Sequence, residues 1–298
     1  MSSGTLSPGP VSYTQSEART IAPGLHFVST PIGAARDITL RALDLLAGAD
    51  VLAAEDTRSL RHLMEIHGLS LGGRPLIAYH EHNEGQALPR LLRALEEGKS
   101  VVYASEAGTP LVSDPGFGLA RAVIAAGLPL TAAPGPSAVL CALTVSGLPS
   151  DRFLFAGFVP SAAGARRSFL QDLANSSATL ILYDSPKRVR ETLAEMVSCF
   201  GKEREAALCR ELTKRFEEVC RGRLEDLAAE FADRDVKGEI VLVIDRAPAQ
   251  EAAAETVEAA LEMAMATMSM KDAAAAVAEA YGLPRRQVYQ MALGKGSR

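Results

Sequence analysis

Ser105-Glu106-Ala107-Gly108-Thr109-Pro110-Leu111-Val112-Ser113-Asp114-Pro115-Gly116 follows the apolar run Val101-Val102-Tyr103-Ala104, and Ala133-Pro134-Gly135-Pro136-Ser137-Ala138 follows the run 130–132. Both loops hold too much glycine and proline to be helix or strand. Each ends a strand-like run and opens a helix-like one, at 117–126 and 137–146. A strand, a short stiff loop and a helix in that order make the repeating unit of a parallel sheet.

Upstream, the same alternation continues. Strands are expected at 25–29, 51–54, 76–79, 101–104 and 130–132, with helices at 36–48, 59–67, 88–97, 117–126 and 137–146. Gly48, Gly68, Gly98 and Gly127 stand where helices should stop. Downstream the pattern changes near Leu148-Pro149-Ser150. Strands at 153–157, 179–183, 206–210, 216–221 and 240–245 include two with no helix between them, so a mixed sheet is expected. From Pro248 the chain is rich in Ala, Glu and Met, and 271–281, Gly282-Leu283-Pro284 and 285–293 read as helix–turn–helix. The fold class is therefore α/β. Two α/β domains, 23–135 and 136–248, are expected, and a small helical segment follows at 249–298. Residues 1–22, rich in Ser, Thr, Gly and Pro, read as a disordered leader.

The chain has 298 residues, a net charge of −5 and four cysteines. Cys141, Cys199, Cys209 and Cys220 show no metal or redox spacing and read as reduced thiols of a cytoplasmic protein. No apolar run is long enough to span a membrane. Charge is unevenly spread: residues 1–150 carry net −3, 151–223 net +3 and 224–298 net −5. Arg166-Arg167, Lys187-Arg188 and Arg210 lie in the one basic segment. They read either as a phosphate-gripping patch or as solvated helix faces.

Ligands of an open parallel sheet sit beyond the carboxyl ends of its strands. Thr30-Pro31-Ile32-Gly33, the 105–110 loop and the 134–138 loop all fall there. Small residues let backbone approach a ligand, and proline keeps it in place. Neither a GxGxxG fingerprint nor a Walker A lysine loop is present, which argues against a dinucleotide or triphosphate held in the usual way. His80 and His82, with Glu84 nearby, make a poor metal cage, and no metal is expected.

Beside these stretches stand Ala54-Glu55-Asp56-Thr57-Arg58, His80-Glu81-His82-Asn83-Glu84, Gly147-Leu148-Pro149-Ser150-Asp151-Arg152-Phe153, Arg210-Glu211-Leu212-Thr213-Lys214 and Lys237-Gly238-Glu239. In this order, from Leu25 to Asp245, the series resembles the bacterial small-subunit ribosomal RNA 2′-O-methyltransferases of the tetrapyrrole-methylase superfamily. The resemblance implies a methyltransferase that binds S-adenosylmethionine in a cleft between its two domains. Pro31, Ser105, Glu106, Ala107, Gly108, Thr109, Pro110, Ser137, Ala138 and Tyr183 would line it. It also implies a cytidine ribose in the decoding region of 16S rRNA as substrate, the small ribosomal subunit as partner, and a homodimer. Arg166, Arg167, Lys187, Arg188 and Arg210 would then contact RNA. Four positions depart from the family's pattern: Ala34, Glu106, Asp184 and Lys187. Ala34 lacks a hydrogen-bonding side chain.

Methyl transfer to a ribose hydroxyl is an in-line displacement that needs alignment and a proton acceptor. Glu55, Asp56, Glu106, Glu211 and Lys214 are the candidates, with Asp56, Glu55 and Lys214 put forward. Asp56 reads equally well as a helix cap, and Lys214 beside Glu211 more readily as an ion pair or a phosphate contact. Two other readings stay open. A small-molecule methylase would have an apolar macrocycle pocket and no use for the basic segment. A nucleic-acid-binding regulator led by the C-terminal helix–turn–helix would be indifferent to changes in the cleft loops.

Overall fold

The computed structural model describes residues 20–113, 115–248 and 254–295. Most of the expected leader lies outside them. The chain divides into two units, Met1–Arg246 and Ala247–Arg298.

The first unit opens with β1 (Gly24–Val28), α1 (Leu40–Gly48), β2 (Val51–Ala54), α2 (Thr57–Ile66), β3 (Leu76–Ala78), α3 (Glu84–Glu96), β4 (Ser100–Ala104), α4 (Phe117–Ala125) and β5 (Leu130–Ala133). The five strands form one sheet in the order β3-β2-β4-β1-β5, parallel throughout. Side chains alternate across it. Leu25, Phe27, Val101 and Tyr103 meet Leu91, Leu95, Leu119 and Val123 of α3 and α4 on one face. Val28, Leu52 and Val102 meet Leu43, Leu46, Leu60 and Met64 of α1 and α2 on the other. Ile21, just before β1, packs against that second layer.

One expected helix, 36–48, is two pieces. A single 3-10 turn at Ala35–Asp37 gives way to extended backbone at Ile38 and Thr39. The Thr39 hydroxyl then accepts the Ala42 N–H at 3.2 Å and starts α1. Gly68, Gly98 and Gly127 take the left-handed conformation expected of helix stops. Gly48 instead stays in α1, and the chain leaves through extended Ala49.

α5 (Ala138–Ser146) leads to β6 (Phe153–Phe158), α6 (Ala163–Leu173), β7 (Thr179–Asp184), α7 (Val189–Phe200), β8 (Glu205–Arg210), β9 (Glu218–Arg223), α8 (Leu224–Phe231) and β10 (Ile240–Ile244). Their sheet runs β6-β7-β10-β8-β9. It is mixed: β6 and β7 are parallel and the other neighbours antiparallel. α6, α7 and α8 bury Leu170, Leu193, Met196 and Phe231 on one face. α5 buries Val139, Ala142 and Leu143 against Ile181, Ala207, Val241 and Val243 on the other.

The second unit holds α9 (Ala254–Met265), α10 (Met270–Tyr281) and α11 (Arg285–Lys295). Val257, Leu261, Ala274, Val277, Val288 and Ala292 form its core. The Ser269 hydroxyl caps α10, and Gly282 ends it in the left-handed conformation. Among the described residues no helix is long and apolar enough to cross a membrane.

Candidate functional site

β1 lies between β4 and β5, with Val28 level with Ala104 and Ala133. The loops after these three strands therefore emerge side by side at one sheet edge. They are stitched together. Thr30 and Gly108 exchange two backbone hydrogen bonds of 3.0 Å. The Thr30 hydroxyl points at the carbonyls of Ser105 (3.1 Å) and Glu106 (3.2 Å). Buried Ser105 donates its own hydroxyl to the Gly108 carbonyl. Thr109 Oγ1 donates to the Pro136 carbonyl at 3.0 Å, joining the second loop to the third. Thr30 is the pin of this assembly, and its only signal in the sequence is its place in Thr30-Pro31-Ile32-Gly33.

Two glycines make the contact close. Gly108 has φ +79°, and a Cβ there would sit 3.3 Å from Ile32 Cγ2. A Cβ on Gly135 would come within 2.8 Å of Ser29 Cβ. Beyond Pro110, Leu111 (φ 70°) and Ser113 (φ 56°) hold left-handed backbone without being glycine. Strain of that kind concentrates where a loop must keep one functional shape.

The second sheet meets this edge through two elements. Ser137 caps α5, and the Tyr183 hydroxyl on β7 interacts with the Val139 backbone, so Tyr183 stands beside Ser137 and Ala138. Its ring packs edge-on against Phe155 and Phe158. Burial pushes the phenol up to about 12. The other element is the β8–β9 loop. Thr213 Oγ1 accepts the Ala34 N–H at 3.1 Å, and a Cβ on Gly33 would lie 2.5 Å from Lys214 Cγ and 2.7 Å from Thr213 Oγ1. Sequence reasoning passed over Thr213, and only its contact distinguishes it from any surface threonine.

The three proton-acceptor candidates put forward separate clearly. Asp56 Oδ1 accepts the Arg58 N–H at 2.8 Å as the cap of α2, and Oδ2 takes the Arg58 guanidinium at 3.2 Å. Those hydrogen bonds hold its carboxyl below the usual range. Lys214 Nζ donates to Glu211 (3.0 Å) and Glu239 (2.9 Å). Burial opposes its charge, but the two carboxylates outweigh burial and hold the ammonium above the ordinary lysine value. Lys214 is thus held in an ion pair with both carboxylates, an arrangement that favours its charged form over a neutral base. Glu55 differs from both. It follows β2, one residue past the Ala54–Ala104 pairing that leads into the 105–110 loop. Burial raises its carboxyl first, the nearby Glu106 charge raises it further, and His80 partly opposes.

The five cations expected at RNA also separate. Arg166 is 7% exposed and donates to the Ser161 carbonyl, so it organises the turn into α6. Arg167 pairs with Glu195 at 2.6 Å, Arg188 with Asp184 at 3.3 Å and Arg210 with Glu218 at 3.0 Å. Lys187 alone of the five projects exposed with no acidic partner among the described residues. The buried Asp184 carboxyl is raised by its burial. At the other end of the second sheet Glu218, Cys220 and Glu230 lie close enough for a cation. That role is already filled, since Arg234 reaches both carboxylates at 2.9 Å.

Comparison with known proteins identifies the family. Residues 24–228 match the model of the tetrapyrrole (corrin/porphyrin) methylases, and residues 250–296 match that of the RsmI C-terminal HTH domain. Ribosomal RNA small subunit methyltransferase I of Mesorhizobium japonicum is 46% identical over 95% of this chain and 96% of its own. The protein of that name from Xylella fastidiosa is 43% identical over 90% and 98%. The crystal structure of the methyltransferase CobJ shares the fold, with a TM-score of 0.57 at 19% identity over 76% of this chain and 95% of its own. The chain belongs to the tetrapyrrole (corrin/porphyrin) methylase family and, within it, to the ribosomal RNA small subunit methyltransferase I group of methyltransferases.

Proposed function

We propose that this methyltransferase transfers a methyl group from S-adenosylmethionine to the 2′-hydroxyl of a cytidine ribose in the decoding region of 16S rRNA. The observation that carries the donor is the stitched backbone cradle at Gly108. A preformed edge of carbonyls and N–H groups, where a Cβ at Gly135 would clash with Ser29 and one at Gly108 would press on Ile32, suits a polar ligand held by backbone. Pro31, residues 105–110, Ser137, Ala138 and Tyr183 would hold it. The relatives' name supports the RNA substrate, and the decoding-region cytidine rests on the motif resemblance.

When bound, S-adenosylmethionine supplies an electrophilic methyl on a sulfonium, with a neutral thioether as leaving group. Glu55 is the group suited to take the ribose proton. Its raised carboxyl titrates closer to neutrality than an ordinary glutamate, which favours proton transfer during attack. The cradle's rigidity supplies alignment. Lys187 contributes a phosphate contact.

A second copy of the chain completes the reading. Phe153, Leu154 and Phe158 on edge strand β6 and Leu130 on edge strand β5 are exposed. Apolar edges of this kind are normally covered. The protein would act in the cytoplasm, where small subunits assemble.

The test is radiolabelled transfer from S-adenosylmethionine to small ribosomal subunits lacking ribose methylation in the decoding region, with naked 16S rRNA alongside. Label at a cytidine ribose is expected. No label in either RNA, with S-adenosylmethionine still bound, sinks the proposal.

A further inference from the structure

The loop between β8 and β9 has a rigid root and a bare tip. Leu212 is buried in the core beneath α5. Glu211 and Thr213 both hold left-handed backbone, φ 51° and 65°, although neither is glycine. Backbone bonds from Lys214 N to Glu211 O (2.9 Å) and from Glu217 N to Lys214 O (3.1 Å) close two successive turns. The Lys214 ammonium clamps Glu211 to Glu239. All this order ends at Arg215 and Phe216. Phe216 is 62% exposed, and the Arg215 guanidinium carbon lies 5.5 Å from its ring centroid. Arg215 has no acidic partner among the described residues.

Single exposed apolar residues are common and need no explanation. Three features set Phe216 apart. The backbone that presents it is strained and heavily braced. The partner on its ring is an unpaired guanidinium. The root also borders the cradle, because Thr213 and Lys214 pack on Gly33, and the adjacent Ile32 packs on Gly108. An aromatic plane joined to an uncommitted guanidinium is the chemistry that receives an unstacked RNA base with its phosphate.

We propose that Arg215 and Phe216 form a stacking platform for an unpaired base of the RNA substrate, Phe216 taking the base and Arg215 the adjoining phosphate. The inference rests on the RNA reading given above and adds to it a determinant of substrate binding outside the cradle. It is tested by steady-state methylation of small ribosomal subunits, with S-adenosylmethionine affinity measured by calorimetry. Phe216→Ala should raise KM for the subunit about tenfold or more, as loss of one base–aromatic stack does. Affinity for S-adenosylmethionine should not change. Phe216→Trp should restore KM, and Phe216→Leu, apolar but not aromatic, should not. Unchanged KM in Phe216→Ala overturns the platform and leaves the RNA reading standing. Rescue by Leu as complete as by Trp, or a parallel fall in S-adenosylmethionine affinity, also overturns it by showing a packing role. A parent enzyme that labels no RNA overturns both readings.

Discussion

The backbone N–H of Ala34 donates to the hydroxyl of Thr213 at 3.1 Å, across 179 residues of chain. This bond joins the loop after β1 to the loop after β8, and so an edge of one sheet to an edge of the other. At Ala34 it is the backbone, not the side chain, that makes this contact. The bond requires no polar side chain at the position.

Thr213→Val keeps the shape and removes the acceptor. The partly buried Ala34 N–H is then left unsatisfied, which costs about 1–3 kcal/mol. Denaturant unfolding should show that loss, and calorimetry should show weaker S-adenosylmethionine binding as the loop after β1 loosens. Unchanged stability would mean that water replaces the hydroxyl.

Gly108→Val should abolish binding of S-adenosylmethionine while the chain still folds. Its φ of +79° costs a non-glycine residue about 1–2 kcal/mol, and the new side chain would enter the space beside Ile32 and Pro136. Calorimetry reads the binding, and circular dichroism reads the fold. Unaltered affinity would remove this loop from the site.

As the proposed proton acceptor, Glu55 should couple activity to pH. Burial and Glu106 raise its folded carboxyl above the ordinary glutamate value of 4.5, so the folded state holds this proton more tightly than the unfolded chain does. The group's stability cost is therefore absent below the unfolded value. It grows as pH rises through the raised folded value, and remains above it. Glu55→Gln should be more stable than the parent at neutral pH and equal to it in acid. Its kcat should fall by about 10²–10⁴, and the acidic limb of the pH–rate profile should disappear. Full kcat in Glu55→Gln would exclude Glu55 as the proton acceptor.

The basic segment should divide by burial. Lys187→Ala should weaken RNA binding across sequences and lower the slope of log K against log salt by about one, with no change in stability. Arg166→Ala should lower the unfolding midpoint instead, because the Ser161 carbonyl loses its donor and a buried side chain leaves a void. Filter binding over a salt series, alongside thermal unfolding, separates the two. Equal loss of RNA binding per folded molecule in both variants would contradict the division.

Much of this architecture was legible in the chain itself. Apolar runs separated by Gly and Pro place every strand to within a residue or two, because period and loop chemistry are local. The cap of α2 by Asp56 was also readable, since Asp before Thr-Arg-Ser is a short-range signal. The break at Ile38 was not. The apolar stripe of Ile38, Ala42 and Leu45 runs on through it, and only the Thr39 cap stops the helix from starting earlier.

The site divides along the same line. Local sequence determined that stiff glycine and proline loops would close β1, β4 and β5. The order β3-β2-β4-β1-β5, which sets those three loops side by side, depends on pairings between residues up to 105 apart and belongs to tertiary structure. The same is true of charge. Arg166 and Lys187 look alike in sequence, yet packing buries one beneath its own turn and leaves the other free. Lys214 pairs with Glu211 three residues away, as the sequence suggests, but its second carboxylate, Glu239, reaches it only through the fold. Formal charge is a property of the residue, but whether that charge is free to act depends on what the fold places within hydrogen-bonding distance.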